Sequence, residues 1–189
     1  KKPEIIDNRF TPLENHNIQI MSMGFLTPAE NALIWRGPMI SKAINNLINL
    51  TNWKDLDVLF VDMPPGTGDV ALTLTKEYPI SGVILVTTPQ KIALLDVAKA
   101  IDMFKKTQHK IFGLIENMSY FVSNNTKQSI FGESNISQFN KSHKIELLGK
   151  IPLDQSISLA SDQGKPIALD KNSIISTGFL EITKKIFLE

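Results

Sequence analysis

A carboxylate delivered to the end of an apolar run, followed by a stiff and then a flexible turn, is an arrangement that can hold a hydrated cation beside a phosphate. Leu59-Phe60-Val61-Asp62-Met63-Pro64-Pro65-Gly66-Thr67-Gly68-Asp69 has that order. Asp62 can hold a water on Mg2+, and a glycine peptide N–H at Gly66 or Gly68 can approach a terminal phosphate because no side chain intervenes. Such a loop can take two conformations, with and without the phosphate. A plain strand-to-helix turn explains the same residues: Asp69 caps a helix, and Gly66 and Gly68 permit the turn. A third pattern also fits, because Gly66-Thr67-Gly68-Asp69-Val70-Ala71 matches the G-x-G-x-x-A of dinucleotide-binding turns. That pattern wants an acidic residue after the next strand. Here the next strand ends in Thr87-Thr88-Pro89-Gln90, and Asp62 with its proline pair has no place in such a turn. The dehydrogenase reading is therefore set aside.

Other chemistries are bounded by what the chain carries. Cysteine is absent, which removes disulfides and thiolate ligands from this chain. His16, His109 and His143 stand far apart and show no ligand spacing. With 20 basic and 19 acidic residues the formal net charge is +1, which gives no reason to expect nucleic acid or an anionic membrane as partner. No apolar run approaches the roughly 18 residues of a membrane span. The opening Lys1-Lys2-Pro3-Glu4 is polar and has no signal-peptide core. The expectation is a soluble, cytoplasmic protein. Its 189 residues, 42% of them hydrophobic, suit one globular domain over 1–189. The chain opens on Lys with no capped element before it, so an upstream segment is expected to be missing.

The elements that must position Asp62 follow from hydrophobic spacing. Residues 17–23 read as a strand and 38–50 as a helix with Met39, Ile40, Ala43, Ile44, Leu47 and Ile48 on one face. Buried strands are expected at 57–62, 82–87, 111–116 and 145–151. Helices are expected at 69–77, 92–107, 154–162 and 174–187. Residues 120–131 read as a polar hairpin or loop centred on Ser123-Asn124-Asn125-Thr126. The alternation implies an α/β fold with a mostly parallel sheet, apolar on both faces and flanked by helices. In such sheets a ligand sits beyond the carboxyl ends of the strands. The residues to watch are therefore 62–69, 87–90, 117–119 and 152–154.

Several segments in fixed order carry a resemblance. Trp35-Arg36-Gly37-Pro38-Met39, Val61-Asp62-Met63-Pro64-Pro65-Gly66-Thr67-Gly68-Asp69, Val86-Thr87-Thr88-Pro89-Gln90, Gly113-Leu114-Ile115-Glu116-Asn117-Met118-Ser119 and Ile151-Pro152-Leu153-Asp154 together resemble the Mrp/ApbC family. The resemblance covers about residues 1 to 185. It implies a P-loop NTPase fold of the deviant-Walker, SIMIBI-like kind, related to MinD and the nitrogenase iron protein. It also implies a homodimer that uses ATP and Mg2+ and carries an iron–sulfur cluster to recipient apoproteins. On the matching positions Asp62 becomes the Walker B carboxylate, holding Mg2+ through water. Gly66, Thr67, Gly68 and Asp69 become the switch II loop. Asn117 would hydrogen-bond the adenine, and Pro152 to Asp154 would line the other side of the base. An amide offers both donor and acceptor for that task, although a loop cap is the plain reading of Asn117. Arg36 has a characteristic place in the motif and no derived role.

The chain departs from the family pattern twice. No G-x-x-x-x-G-K occurs; Gly149-Lys150 and Gly164-Lys165 lack the leading glycine. In the family that loop lies upstream of the position where this chain starts, together with the first strand of the sheet, which neighbours the Asp62 strand. Its lysine and backbone nest supply most of the triphosphate binding. Weak or absent ATP binding, no hydrolysis by this chain alone, and an apolar edge that lowers solubility are expected. The second departure is the C-x-x-C expected after Glu116-Asn117-Met118-Ser119: Ser123 and Thr126 occupy the cysteine positions. Hydroxyls are poor ligands for cluster iron, so this chain is not expected to ligate a cluster. Three functions follow: an ATP-dependent cluster carrier seen in part, a non-catalytic or adaptor member of the family, or a MinD/ParA-like positioning ATPase.

Overall fold

Two-residue hairpins closed by a type I′ turn need positive φ at both turn positions, and asparagine tolerates that conformation better than most residues. The N-terminal segment uses it twice. Asp7 and Asn8 (φ 51° and 60°) join β1 (Ile5–Ile6) to β2 (Arg9–Phe10). His16 and Asn17, at the same two angles, join β3 (Leu13–Asn15) to β4 (Ile18–Ile20). The computed structural model describes residues 2–26, 37–63, 69–124 and 126–188; the side chains of Pro38 and Asp69 lie outside that description. Within these residues the chain forms two compact units, 1–79 and 80–189.

In the first unit, α1 (Met23–Leu26), α2 (Gly37–Asn49) and α3 (Asp69–Glu77) follow the hairpins. The Arg9 guanidinium donates to the carbonyls of Asn49 (3.1 Å) and Thr51 (3.2 Å), placing a cation at the C-terminal end of α2. Phe10 N donates to Leu50 O and Asn52 N to Phe10 O, which fixes the first hairpin to the same end. Helices α2 and α3 meet through polar groups: Ser41 Oγ to Thr73 Oγ1 at 3.3 Å, Asn45 to Glu77, and Tyr78 Oη to Asn45 Oδ1 at 2.9 Å.

Two expected elements in this unit need correction. The strand at 17–23 is shorter: β4 ends at Ile20, and Met23 already opens α1. The strand at 57–62 does not form. Leu56, Val58, Leu59, Phe60 and Val61 are exposed, Phe60 to 67%. A parallel strand exists only through its neighbour's hydrogen bonds, and no strand among the described residues pairs with this run. Asp62 is therefore exposed on irregular backbone.

The second unit is the α/β part. A parallel three-stranded sheet runs β5 (Val83–Thr87), β6 (Ile111–Glu116), β9 (Leu147–Lys150), with β6 central. One face packs on α4 (Lys91–Lys106), whose Leu94, Val97, Ile101 and Phe104 recur at helical spacing and meet Leu85, Leu114 and Ile136. The other face carries Leu148 and Ile151 against Ile182 of α7 (Ile174–Phe187). That helix lies so close that a Cβ on Gly149 would stand 2.5 Å from Ile182 Cγ1. Between β6 and β9 the chain makes a hairpin, β7 (Phe121–Ser123) and β8 (Thr126–Gln128), and then α5 (Ile136–His143). After β9 come α6 (Gln155–Asp162), a short 3-10 turn (Ile167–Leu169) and α7. The parallel sheet flanked by helices is the fold class expected from the sequence; α5 and the two N-terminal hairpins were not foreseen.

Candidate functional site

Beyond the last residue of each strand in the second unit the ladder continues by single bonds. Asn117 N donates to Thr87 O (2.7 Å), Ile151 N to Glu116 O (2.9 Å), Ser119 N to Ile151 O (2.9 Å) and Leu153 N to Tyr120 O (2.8 Å). These bonds place 87–90, 117–119 and 151–154 along one carboxyl rim. Three of the segments expected from the sequence are thus brought together, with Asn117 between the other two.

Asn117 uses its amide oxygen locally, accepting from Met118 N at 2.9 Å. Its amide nitrogen has no partner among the described residues, so the group offers two N–H donors at the rim. Met118, next in the chain, adopts positive φ (52°), which turns the backbone sharply at this point. Pro152 is buried and Asp154 exposed. Asp154 caps α6: its Oδ1 accepts from Ser156 N (2.8 Å) and Ser156 Oγ (2.6 Å). The bond from the Ser156 hydroxyl, then that from its N–H, hold the Asp154 carboxyl below the usual aspartate range, against a small opposing effect of burial. One carboxylate oxygen is thereby committed to the helix.

Beneath this rim lies a residue that the sequence reading quoted only as part of a motif. Glu116, at the end of β6, is 0% exposed. Its Oε1 accepts from the Ser134 hydroxyl. Lys150 Nζ stands 2.9 Å from Oε2, outside hydrogen-bonding geometry, so that oxygen has charge compensation without a hydrogen bond. A charged residue closing the otherwise apolar run Ile111-Phe112-Gly113-Leu114-Ile115 was a local signal, because such a residue must find partners.

The remaining expected residues divide. Gly66, Thr67, Gly68 and Arg36 lie outside the described residues. Asp69 opens α3, but its side chain is not described. Ser123 and Thr126 are cross-strand partners flanking the hairpin turn, with Asn124 at φ 50°. Their hydroxyls do not suit cluster iron. Among the described residues no group of three or more His, Cys, Asp or Glu could hold a metal ion.

A family model described as ParA, NUBPL iron-transfer P-loop NTPase, matches residues 1–187. The iron-sulfur cluster carrier protein of Aquifex aeolicus is 41% identical over 180 residues, covering 93% of this chain and 50% of that protein. The iron-sulfur cluster transfer protein NUBPL of Dictyostelium discoideum is 42% identical over 182 residues, covering 95% of this chain and 56% of that protein. The chain thus spans about half the length of these relatives. Among solved structures, the nucleotide-binding protein of Archaeoglobus fulgidus in complex with ADP is similar with a TM-score of 0.70 at 32% identity, over 87% of this chain and 65% of that one.

Proposed function

Because the chain belongs to the NUBPL iron-transfer P-loop NTPase family, we propose that it is part of an iron–sulfur cluster carrier that binds and hydrolyses ATP in its complete form and delivers clusters to recipient apoproteins. The observation that carries the nucleotide half of this reading is Asn117, whose amide donors stand at the carboxyl rim of a parallel sheet beside 152–154. An adenine ring offers acceptor nitrogens to such donors, and the 152–154 segment lies beside them on the same rim. The ADP complex of the Archaeoglobus fulgidus protein supports the same ligand class.

In this reading Asp62 holds a water on Mg2+, and Gly66, Thr67, Gly68 and Asp69 answer to the terminal phosphate. Asp62 is exposed and available for that contact. The protein acts as a homodimer in the cytoplasm. No helix among the described residues is long and apolar enough to cross a membrane. The cluster is cargo, and its thiolate ligands do not come from this chain, which has no cysteine.

That absence favours a second reading, a non-catalytic or adaptor member that keeps the family fold and holds no iron. Anaerobic reconstitution with iron and sulfide bears on both, since a stable cluster absorbance band on this chain would contradict them alike. The base site is tested by photolabelling with an 8-azidoadenine nucleotide, which reports neighbours of the base even when affinity is low. The proposal expects label on 117–119 or 152–154, and loss of it in Asn117→Ala. Label confined to other peptides would refute the assignment.

A further inference from the structure

The chain leaves the sheet after Glu116, runs out along the β7–β8 hairpin, and returns at Ser134 to begin α5. Glu116 touches both ends of this excursion. It precedes Asn117 directly, and its Oε1 accepts from Ser134 Oγ. The Ser134 oxygen in turn accepts from Ile136 N at 3.2 Å, starting α5, and Ile136 is buried in the core. Oε2 faces Lys150 at the end of β9, one residue before the stretch 151–154. One carboxylate therefore meets three segments: the strand end that presents Asn117, the return of the hairpin, and the root of the Asp154 segment. The hairpin itself is tied to the last of these by Leu153 N to Tyr120 O, and Lys127 Nζ lies 4.4 Å above the Tyr120 ring.

A fully buried carboxylate paired with a lysine whose side chain is 42% exposed is a poor device for stability alone. Desolvation of the charge offsets most of the attraction, and fixing a register is the better-attested role of such pairs. An apolar residue would fill the same space, but it would hold neither the Ser134 hydroxyl nor the Lys150 ammonium.

We propose that Glu116 is a positioning residue that clasps the base of the 117–134 excursion, so that the hairpin tip carrying Ser123 and Thr126 and the rim carrying Asn117 are held in one fixed relation. The second half of this statement rests on the adenine reading of Asn117; the first half does not. A change at the hairpin tip is then felt at the base site, and occupancy of the base site stiffens the hairpin.

The test uses the whole chain in three forms: unaltered, Glu116→Gln and Ser134→Ala. Amide hydrogen exchange reads the hairpin, and equilibrium titration reads ADP against GDP. Glu116→Gln keeps the shape and loses the charge. It is expected to raise exchange across 121–135 about tenfold, the mark of a local opening and not of global unfolding. It is also expected to weaken ADP about tenfold while leaving GDP unchanged, removing the preference for adenine. A role confined to stability would weaken both nucleotides equally. Ser134→Ala, the milder change, carries the test if Glu116→Gln does not fold, and should raise exchange over 121–135 alone. Exchange equal to the unaltered chain in both variants overturns the clasp. If the unaltered chain shows no preference for ADP, the adenine reading falls, and the exchange result still decides whether Glu116 holds the hairpin.

Discussion

The two units of this chain spend similar apolar sequence in different ways. In the second, Val83 to Thr87 and Ile111 to Glu116 are paired in a parallel ladder, and Leu114 is 0% exposed at its centre. In the first, the equally apolar Val58-Leu59-Phe60-Val61 forms no strand ladder among the described residues, and all four side chains are exposed. Composition alone does not separate them. Burial of an apolar strand depends on a partner strand and a covering helix, and only the second unit's described residues supply both.

Core substitution should expose this contrast most strongly. Leu114→Ala removes a fully buried side chain from the face packed on α4 and should cost about 2–5 kcal/mol in urea unfolding. Phe60→Ser, at a residue 67% exposed, should stay within about 0.5 kcal/mol and raise solubility. Equal losses at the two positions would mean that the 58–61 run is packed in solution. Next in size is Gly149→Ala. Its Cβ would meet Ile182 at 2.5 Å, and forcing α7 off β9 should cost about 1–3 kcal/mol by the same assay. A neutral result would show the β9–α7 contact to be looser than described.

A smaller effect is expected at Asp154. Its bonds to Ser156 favour the charged form in the folded chain, so the folded pKa lies below the unfolded one. The stabilisation is full above the ordinary aspartate range and is lost as pH falls through the lowered folded value. Because the residue is exposed, the cap contributes about 1 kcal/mol or less. Asp154→Ala should therefore match the unaltered chain at strongly acid pH and fall below it at neutral pH. A constant difference in melting temperature across that range would assign the loss to something other than the charge.

What the sequence disclosed follows the length of each element and not the division between the units. Helices α3 and α7 and strand β6 begin and end where the spacing places them, because a long periodic run states its own buried face. The N-terminal hairpins were not foreseen, because strands of two or three residues are too short to show a period; their turns, Asp7-Asn8 and His16-Asn17, were the one local signal that could have shown them. Residues 57–62 misled because a strand's partner is not written in the strand. At the candidate site, motif order pointed to Asn117 and the 152–154 segment, which lie along one rim; the cap that Asp154 provides to Ser156 N was not foreseen. The Glu116 partners Ser134 and Lys150 come from distant parts of the chain, and no local pattern connects them.

The central claim is that the rim at Asn117 receives the base of an adenine nucleotide, and an NMR shift titration of the Asn117 side-chain amide with Mg-ADP tests it most directly. The account predicts saturable shifts of that amide and of the Leu153 N–H, at an affinity weaker than micromolar because this chain contains no G-x-x-x-x-G-K loop. Saturation with shifts confined to other residues, or no shift at millimolar ADP, would contradict it.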